Sequence, residues 1–338
     1  MALPVIRFNF ASPNGVPAQQ RETILAAVNI ATWGDTRGVA AVSIDEHHLT
    51  GHGWSSNPVM AAALFLQNTN NLMVSIDCAL GPLWDPLRLA EDIRFVDIMS
   101  AGRLSTTIGL GYRTLEYQAF GVDFHRRGAL MDRLLETMLA AWAAESADGD
   151  PSFRIGADTW SRPHPTLYVG GGVRASARRA VRFKLGLSLP AYLPELAQYY
   201  LDLCEKTGVP PALIMPAAVN RGMIFLHEDP DKAWAELGKH ILWEAVTYGG
   251  WIDGVPLSSM HLPGVQTLKA VRASGRYRFL TPDELVAEAE DCPDYGAMVF
   301  HPLVGGMPID EAWKSVQLFT DDVIPRLSSD SAHHGART

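Results

Sequence analysis

The sequence predicts a closed (β/α)8 TIM barrel, and three observations carry that prediction. Strand and helix patterns alternate roughly eight times along the chain, the strands read as buried apolar runs, and no obvious linker interrupts the series. Apolar strands separated by covering helices belong to a parallel sheet. An open doubly wound sheet is the competing architecture, but it favours a Gly-rich turn directly after the first strand, where this chain has Ala11-Ser12-Pro13-Asn14. At 338 residues the chain has the length of about two average domains and equally of one barrel. The barrel is assigned as a single domain over residues 1–327 with an excursion after the seventh strand, and the small polar tail 328–338 is expected to be disordered.

Residues 5–10 read as a short buried strand, and 19–33 as a helix with Ile24, Leu25, Val28, Ile30 and Ala31 at helical spacing. Strands at 39–44, 72–79 and 104–110 then alternate with helices at 58–67 and 86–99. A long helix over 126–144 carries the apolar stripe Leu130, Leu134, Leu135, Met138 and Leu139. After an irregular stretch, 146–165, the pattern resumes as strand 166–169, helix 175–183, strand 185–189 and helix 194–207. Residues 218–226 are strand-like and 230–246 helical, whereas 247–279 has no clear period. Thr281-Pro282-Asp283-Glu284 opens a helix with a capping residue, a first-turn proline and early acids. A strand at 296–300 and a helix at 310–327 close the series.

Composition narrows the class of function. With 47% hydrophobic and 19% charged residues the chain has material for a large core and too little charge for intrinsic disorder. A formal net charge of -9 gives no reason to approach phosphate backbones or anionic lipid, so neither nucleic acid nor membrane is an expected partner. The longest apolar run, 59–66, falls far short of the ~18 residues a membrane span needs. Cys78, Cys204 and Cys292 are widely spaced and odd in number, and the first ten residues lack a signal-peptide pattern. A reducing cytoplasm is the expected compartment.

In such a barrel the chemistry sits on loops at the carboxyl ends of the strands. The densest polar cluster there is Asp45-Glu46-His47-His48, directly after the second strand. Neighbouring imidazoles can serve as bases, orient a substrate or bind a metal; no third ligand follows at a fixed spacing, so no metal is expected. Gly170-Gly171-Gly172 before a helix is the best phosphate candidate, because glycines leave N–H groups accessible and the helix dipole favours an anion. Arg174 and Ser176 stand at that helix start, while Arg178, Arg179 and Arg182 read as a solvated helix face.

In this order the motifs resemble the bacterial luciferase-like family of flavin-dependent oxidoreductases. Glu46-His47-His48 matches a Glu-His-His at the end of that family's second strand, and Asp97-Ile98-Met99-Ser100-Ala101-Gly102-Arg103 matches its turn into the fourth. The similarity continues through Ile108-Gly109-Leu110-Gly111-Tyr112, Phe120-Gly121-Val122-Asp123, Val169-Gly170-Gly171-Gly172, Leu280-Thr281-Pro282-Asp283-Glu284 and Asp322-Val323-Ile324-Pro325.

What the resemblance implies is a barrel that holds FMN, or the deazaflavin F420 in one branch, at its carboxyl face. Glu46, His47 and His48 would be the catalytic group. Cys78 and Ala79 would lie at the isoalloxazine, where many members have a cis non-proline peptide. Gly170, Gly171, Gly172, Arg174 and Ser176 would hold the cofactor phosphate, with Tyr112 and Arg113 nearby. The implied reaction is monooxygenation of a small organic substrate with O2 and reduced FMN from a separate reductase. Hydride transfer from F420 is the alternative, and a non-catalytic flavin-binding barrel a third reading. The family habit and the apolar helix 59–66 imply a homodimer, and the segment 247–279 an excursion over the carboxyl face with Trp251, Tyr277 and Phe279 as apolar cover. Two departures stand out: Leu185-Gly186-Leu187 replaces a usual Asp-Gly, and 247–279 aligns with no member of known substrate, so substrate identity is not implied.

Overall fold

The computed structural model describes residues 2–143, 155, 158–219, 221–251, 260–292 and 296–327. Its strands are β1 (Leu3–Phe8), β2 (Ala41–Ile44), β3 (Met73–Leu80), β4 (Leu104–Gly109), β5 (Thr166–Gly170), β6 (Gly186–Ser188), β7 (Leu213–Ile214), β8 (Met223–Leu226), β9 (Tyr277–Leu280) and β10 (Ala297–Phe300). All pair in parallel in the order β7-β6-β5-β4-β3-β2-β1-β10-β8-β9. Reading round from β1, β2 to β6 take positions two to six and β10 takes the eighth. β7 extends the row beyond β6, and β8 and then β9 extend it beyond β10. The hydrogen-bonded ladder is open between its end strands, β7 and β9. A parallel sheet in near-sequential order with helices packed against its apolar face is the architecture of a (β/α)8 TIM barrel.

The helices are α1 (Pro17–Asp35), α2 (Pro58–Gln67), α3 (Pro86–Met99), α4 (Thr114–Ala119), α5 (Arg127–Trp142), α6 (Arg174–Arg182), α7 (Pro194–Thr207), α8 (Pro230–Gly249), α9 (Leu268–Ser274), α10 (Pro282–Glu290) and α11 (Ile309–Gln317), the last continued by a π-helical stretch Leu318–Val323. Their starts follow from local chemistry. Asn57, Asp85 and Asp229 cap α2, α3 and α8 by accepting from the N–H of Met60, Arg88 and Lys232, each with proline in the first turn. Thr281 and Glu284 form a full capping box on α10.

Strand side chains divide by period two. Ile6 and Phe8, Val42 and Ile44, and Val74 and Ile76 join the helices in one apolar cluster, where Phe8 stacks on Phe65 of α2 at 5.4 Å. The opposite face carries polar residues toward the carboxyl ends of these strands. Register sets Arg7 beside Ser43, Ser43 beside Ser75, and Asp77 beside Thr107. Ser43 and Thr107 donate to Asp77 at 3.5 and 3.1 Å, and burial raises the Asp77 carboxyl above its usual range. The second face is thus polar toward the ends of β1 to β4, whereas β8 and β10 keep the continuous apolar runs that the sequence suggests.

Several expectations change. The stretch 218–226 is strand only from Met223, and the long helix before β5 is preceded by the separate short α4. Within 247–279, α8 runs on to Gly249 and α9 and β9 form, while 252–259 lies outside the described residues. Tyr277 and Phe279 are core residues of β9, not cover. Pairing with β8 turns them inward, and Phe279 meets the rings of Phe225 and Trp234 edge-on. In α2, Val59, Ala61, Ala62, Phe65 and Leu66 are buried in the chain's own core, leaving Met60 and Leu64 exposed. The tail 328–338 and most of 144–157 lie outside the described residues.

Candidate active site

The turn after β2 threads its side chains into the mouth formed by the strand ends. Its backbone is fixed to β1 through a loop: the His47 N–H donates to Ser55 O at 2.8 Å, and Ser55 N–H to Asn9 O at 2.7 Å. Asp45 pairs with Arg7 and accepts from Trp54 Nε1 at 2.9 Å. Glu46 turns the other way, accepting from Leu80 N–H at 2.7 Å and Trp84 Nε1 at 3.0 Å, and meeting His48 Nε2 at 2.7 Å. It thereby ties the β2 turn to the end of β3.

His47 is buried. Its Nδ1 lies 3.3 Å from Glu116 Oε1, and its Nε2 3.4 Å from the Tyr112 hydroxyl. Trp54, Tyr112, Tyr248 and Trp251 surround the imidazole, with centroids 4.8 to 6.1 Å away. Trp251 is the residue of the excursion that does cover the mouth: it is nearest to His47, lies parallel to His52 and carries the Arg113 guanidinium 4.4 Å above its ring. Burial, and then the neighbouring Tyr248, raise the Tyr112 phenol well above its ordinary range. Burial likewise lowers His52.

Cys78 lies at the end of β3, where burial, with the charges of Glu46 and Asp77 adding to it, pushes its thiol up to about 12, so it is no thiolate nucleophile. The cis non-proline peptide among the described residues is Asp77–Cys78, one bond earlier than Cys78-Ala79. On β4 a Cβ added to Gly109 would come within 2.3 Å of the Cys78 sulfur. On β5 a Cβ on Gly170 would lie 3.7 Å from the Gly109 Cα. Bare backbone therefore occupies neighbouring ends of β4 and β5 beside Cys78 and the buried Ala79.

The turn into α6 is only partly available to an anion. The Gly171 N–H already donates to Ser188 O at 3.1 Å, and its φ of +149° suits glycine. Helix α6 nevertheless starts with no side-chain cap, so first-turn donors remain beyond Gly172. Ser176 is buried there, and Arg174 is exposed with its guanidinium 4.8 Å from the Tyr199 ring. The expectation of a solvated arginine face fails for Arg179, whose side chain is 12% exposed, and holds for Arg182 at 56%. Helix α5 lies within reach, so Arg179 pairs with Asp132 at 2.5 Å and donates to Gly128 O, and Arg182 meets Glu136 at 2.5 Å.

A second buried cluster adjoins the first. His301 Nε2, after β10, lies 3.1 Å from Glu244 Oε1 on α8, and Asn9 and the Gly305 N–H donate to Oε2 of the same carboxylate. Glu116, Glu244, Tyr248 and Trp54 were not singled out in the sequence. Glu244 carried a signal, being a carboxylate within the apolar stripe Leu237, Ile241 and Ala245.

The strand ends and the buried imidazole make the carboxyl face of the barrel the candidate site. Residues 6–289 match the family described as luciferase-like monooxygenase, and the chain belongs to it. The alkanal monooxygenase alpha chain of Photorhabdus luminescens is 32% identical over 176 residues, covering 50% of this chain and 49% of that protein. The chain matches about half the length of the curated relatives it resembles. Among solved structures, the monooxygenase RslO1 from Streptomyces bottropensis has a TM-score of 0.76 at 23% identity, covering 97% of this chain and 100% of that one. The oxygenating constituent of 3,6-diketocamphane monooxygenase from Pseudomonas putida, in complex with FMN, has a TM-score of 0.63 at 18% identity over 96% and 98% of the two chains. The F420-dependent tetrahydromethanopterin reductase from Methanopyrus kandleri has a TM-score of 0.61 at 14% identity over 96% and 99%.

Proposed function

We propose that the protein is a flavin-dependent monooxygenase that takes reduced FMN from a separate reductase and uses it with O2 on a small organic substrate. The observation that carries this reading is His47, an imidazole at the strand ends enclosed by Trp54, Tyr112, Tyr248 and Trp251. One acid–base group in a water-poor mouth suits chemistry on a reactive cofactor.

The residues present fit FMN. Gly109 and Gly170 give room to the Cys78 sulfur and the Thr107 methyl, which would lie with Ala79 along a ring bound at these strand ends. The uncapped start of α6, with Gly172, Ser176 and Arg174, suits the phosphate, while Gly170 and Gly171 shape the turn. Bound FMN would supply the reducing electrons. The chain's part is to exclude water with its aromatic wall, to move a proton at His47 Nε2, and to hold that imidazole in place through the turn that Glu46 and His48 brace.

In this reading the protein works as a homodimer in a reducing compartment, the cytoplasm. Met60 and Leu64 on α2 and Phe95 and Ile98 on the adjoining α3 are exposed and available to a second copy. Cys78, Cys204 and Cys292 are free thiols. No helix among the described residues is long and apolar enough to cross a membrane.

Separate titrations with FMN, reduced under anaerobic conditions, and with F420, followed by fluorescence, test the assignment. The expected result is binding of reduced FMN and an altered rate of its oxidation on admitting air. Binding of F420 alone would favour hydride transfer. FMN bound with no change in its oxidation would favour a non-catalytic barrel.

A further inference from the structure

We propose that Glu116 is a positioning residue that fixes the tautomer of His47, keeping the hydrogen on Nδ1 and leaving Nε2 as the nitrogen that accepts a proton at the mouth. The role of Nε2 rests on the flavin-dependent reading above; the tautomer itself does not.

Glu116 lies on α4, after β4, and its side chain is 0% exposed. Its Oε1 takes the His48 N–H at 2.9 Å and Arg113 Nη1 at 2.7 Å, and lies 3.3 Å from His47 Nδ1. A backbone amide and a guanidinium are donors whatever the pH, so two fixed donors hold this oxygen in place. Arg113 is itself anchored, donating also to His48 O at 2.8 Å. Burial alone would raise the Glu116 carboxyl, but the contacts with His47, the His48 amide and Arg113 outweigh it and hold the group below its usual range. An ionised carboxylate only accepts hydrogen bonds, so the Nδ1 contact is attractive when Nδ1 carries the hydrogen. In the neutral imidazole Nε2 then has the lone pair, and it faces the Tyr112 hydroxyl at 3.4 Å. The other groups around the pair are Tyr248, the indoles of Trp54 and Trp251, and His52.

Glu116 Oε2 is buried with no hydrogen-bond partner. A glutamine can therefore put its carbonyl oxygen at the Oε1 position and keep the bonds from His48 and Arg113. Glu116→Gln thus keeps an acceptor facing Nδ1, whereas Glu116→Leu removes it at similar side-chain size.

The test is nitrogen-15 NMR of histidine-labelled protein without cofactor, above the pH range in which histidines are charged, with His47 assigned by its absence in His47→Gln and the exposed His125 as internal reference. In the wild type the hydrogen is expected on Nδ1. In Glu116→Gln the hydrogen is expected to stay on Nδ1, and in Glu116→Leu, folded by circular dichroism, the Nδ1–H share is expected to fall toward that of His125. Turnover of Glu116→Leu is expected to fall about 10-fold or more with flavin affinity unchanged within about twofold. Hydrogen on Nε2 in the wild type, or an unchanged tautomer in Glu116→Leu, would overturn the proposal. If the tautomer shifts as expected while the wild type neither binds nor oxidises reduced FMN, the flavin reading fails and the positioning role stands.

Discussion

Glu244 on α8 and His301 after β10 form a buried pair, Oε1 to Nε2 at 3.1 Å with both side chains 1% exposed, and so tie the helix that leads to Tyr248 and Trp251 to the strand beside β1. The aromatic cover over His47 is anchored through this contact. Burial raises the Glu244 carboxyl, but His301, Asn9 and Arg7 together lower it below its usual range.

A depressed carboxyl contributes stability that is present above the unfolded value of 4.5 and is lost as pH falls through the lower folded value. Denaturant unfolding at neutral pH and below pH 4.5 should therefore show acid destabilisation that is weaker in Glu244→Ala. That variant should already be less stable by about 3 kcal/mol at neutral pH, because it breaks a buried pair. Equal acid sensitivity in both proteins would remove Glu244 from the account.

Gly109→Ala should destabilise by about 1 to 3 kcal/mol, since the new methyl would fall 2.3 Å from the Cys78 sulfur. Adding Cys78→Ala removes that sulfur and leaves the Cys78 Cβ at 3.3 Å, so the double variant should recover most of the loss. Thermal melts of the two variants decide this; failure to recover means the clash is not the cause.

Arg174→Ala should weaken flavin binding about 10-fold or more while leaving the turnover of bound flavin unchanged, a charge-assisted phosphate contact contributing about 1.5 to 3 kcal/mol. Arg179→Ala should instead cost stability with little effect on flavin, because Arg179 is paired with Asp132 and Gly128. Fluorescence titration and melting of both variants separate the roles, and the reverse pattern would exchange them.

Met60→Asp combined with Phe95→Asp should yield a 36.9 kDa species in sedimentation, against twice that mass for the wild type. A wild type that already sediments at 36.9 kDa at micromolar concentration would rule out the dimer.

Much of the framework was readable because its signals are local. The starts of α2, α3, α8 and α10 follow from a capping residue and a proline within a few positions. Short elements were not readable: the two residues of β7 and the four of β9 become strands only through β6 and β8. The site divides in the same way. Glu46-His47-His48 forms a run, but Glu116 stands 69 residues from His47 and Glu244 57 from His301, so their carboxylates acquire meaning only when the strand ends converge. Arg179 reads as solvated in the sequence because its partner Asp132 belongs to α5, which no pattern within α6 records.

The most direct test of the account is the pair of quantities measured on His47→Ala, affinity for reduced FMN and turnover of the bound complex. A positioned acid–base group is felt in the transition state, so turnover should fall by about 10² to 10⁴ while affinity changes little. If His47→Ala binds reduced FMN poorly and turns over what it binds at the wild-type rate, His47 is a cofactor contact or a structural residue, and the catalytic assignment is wrong.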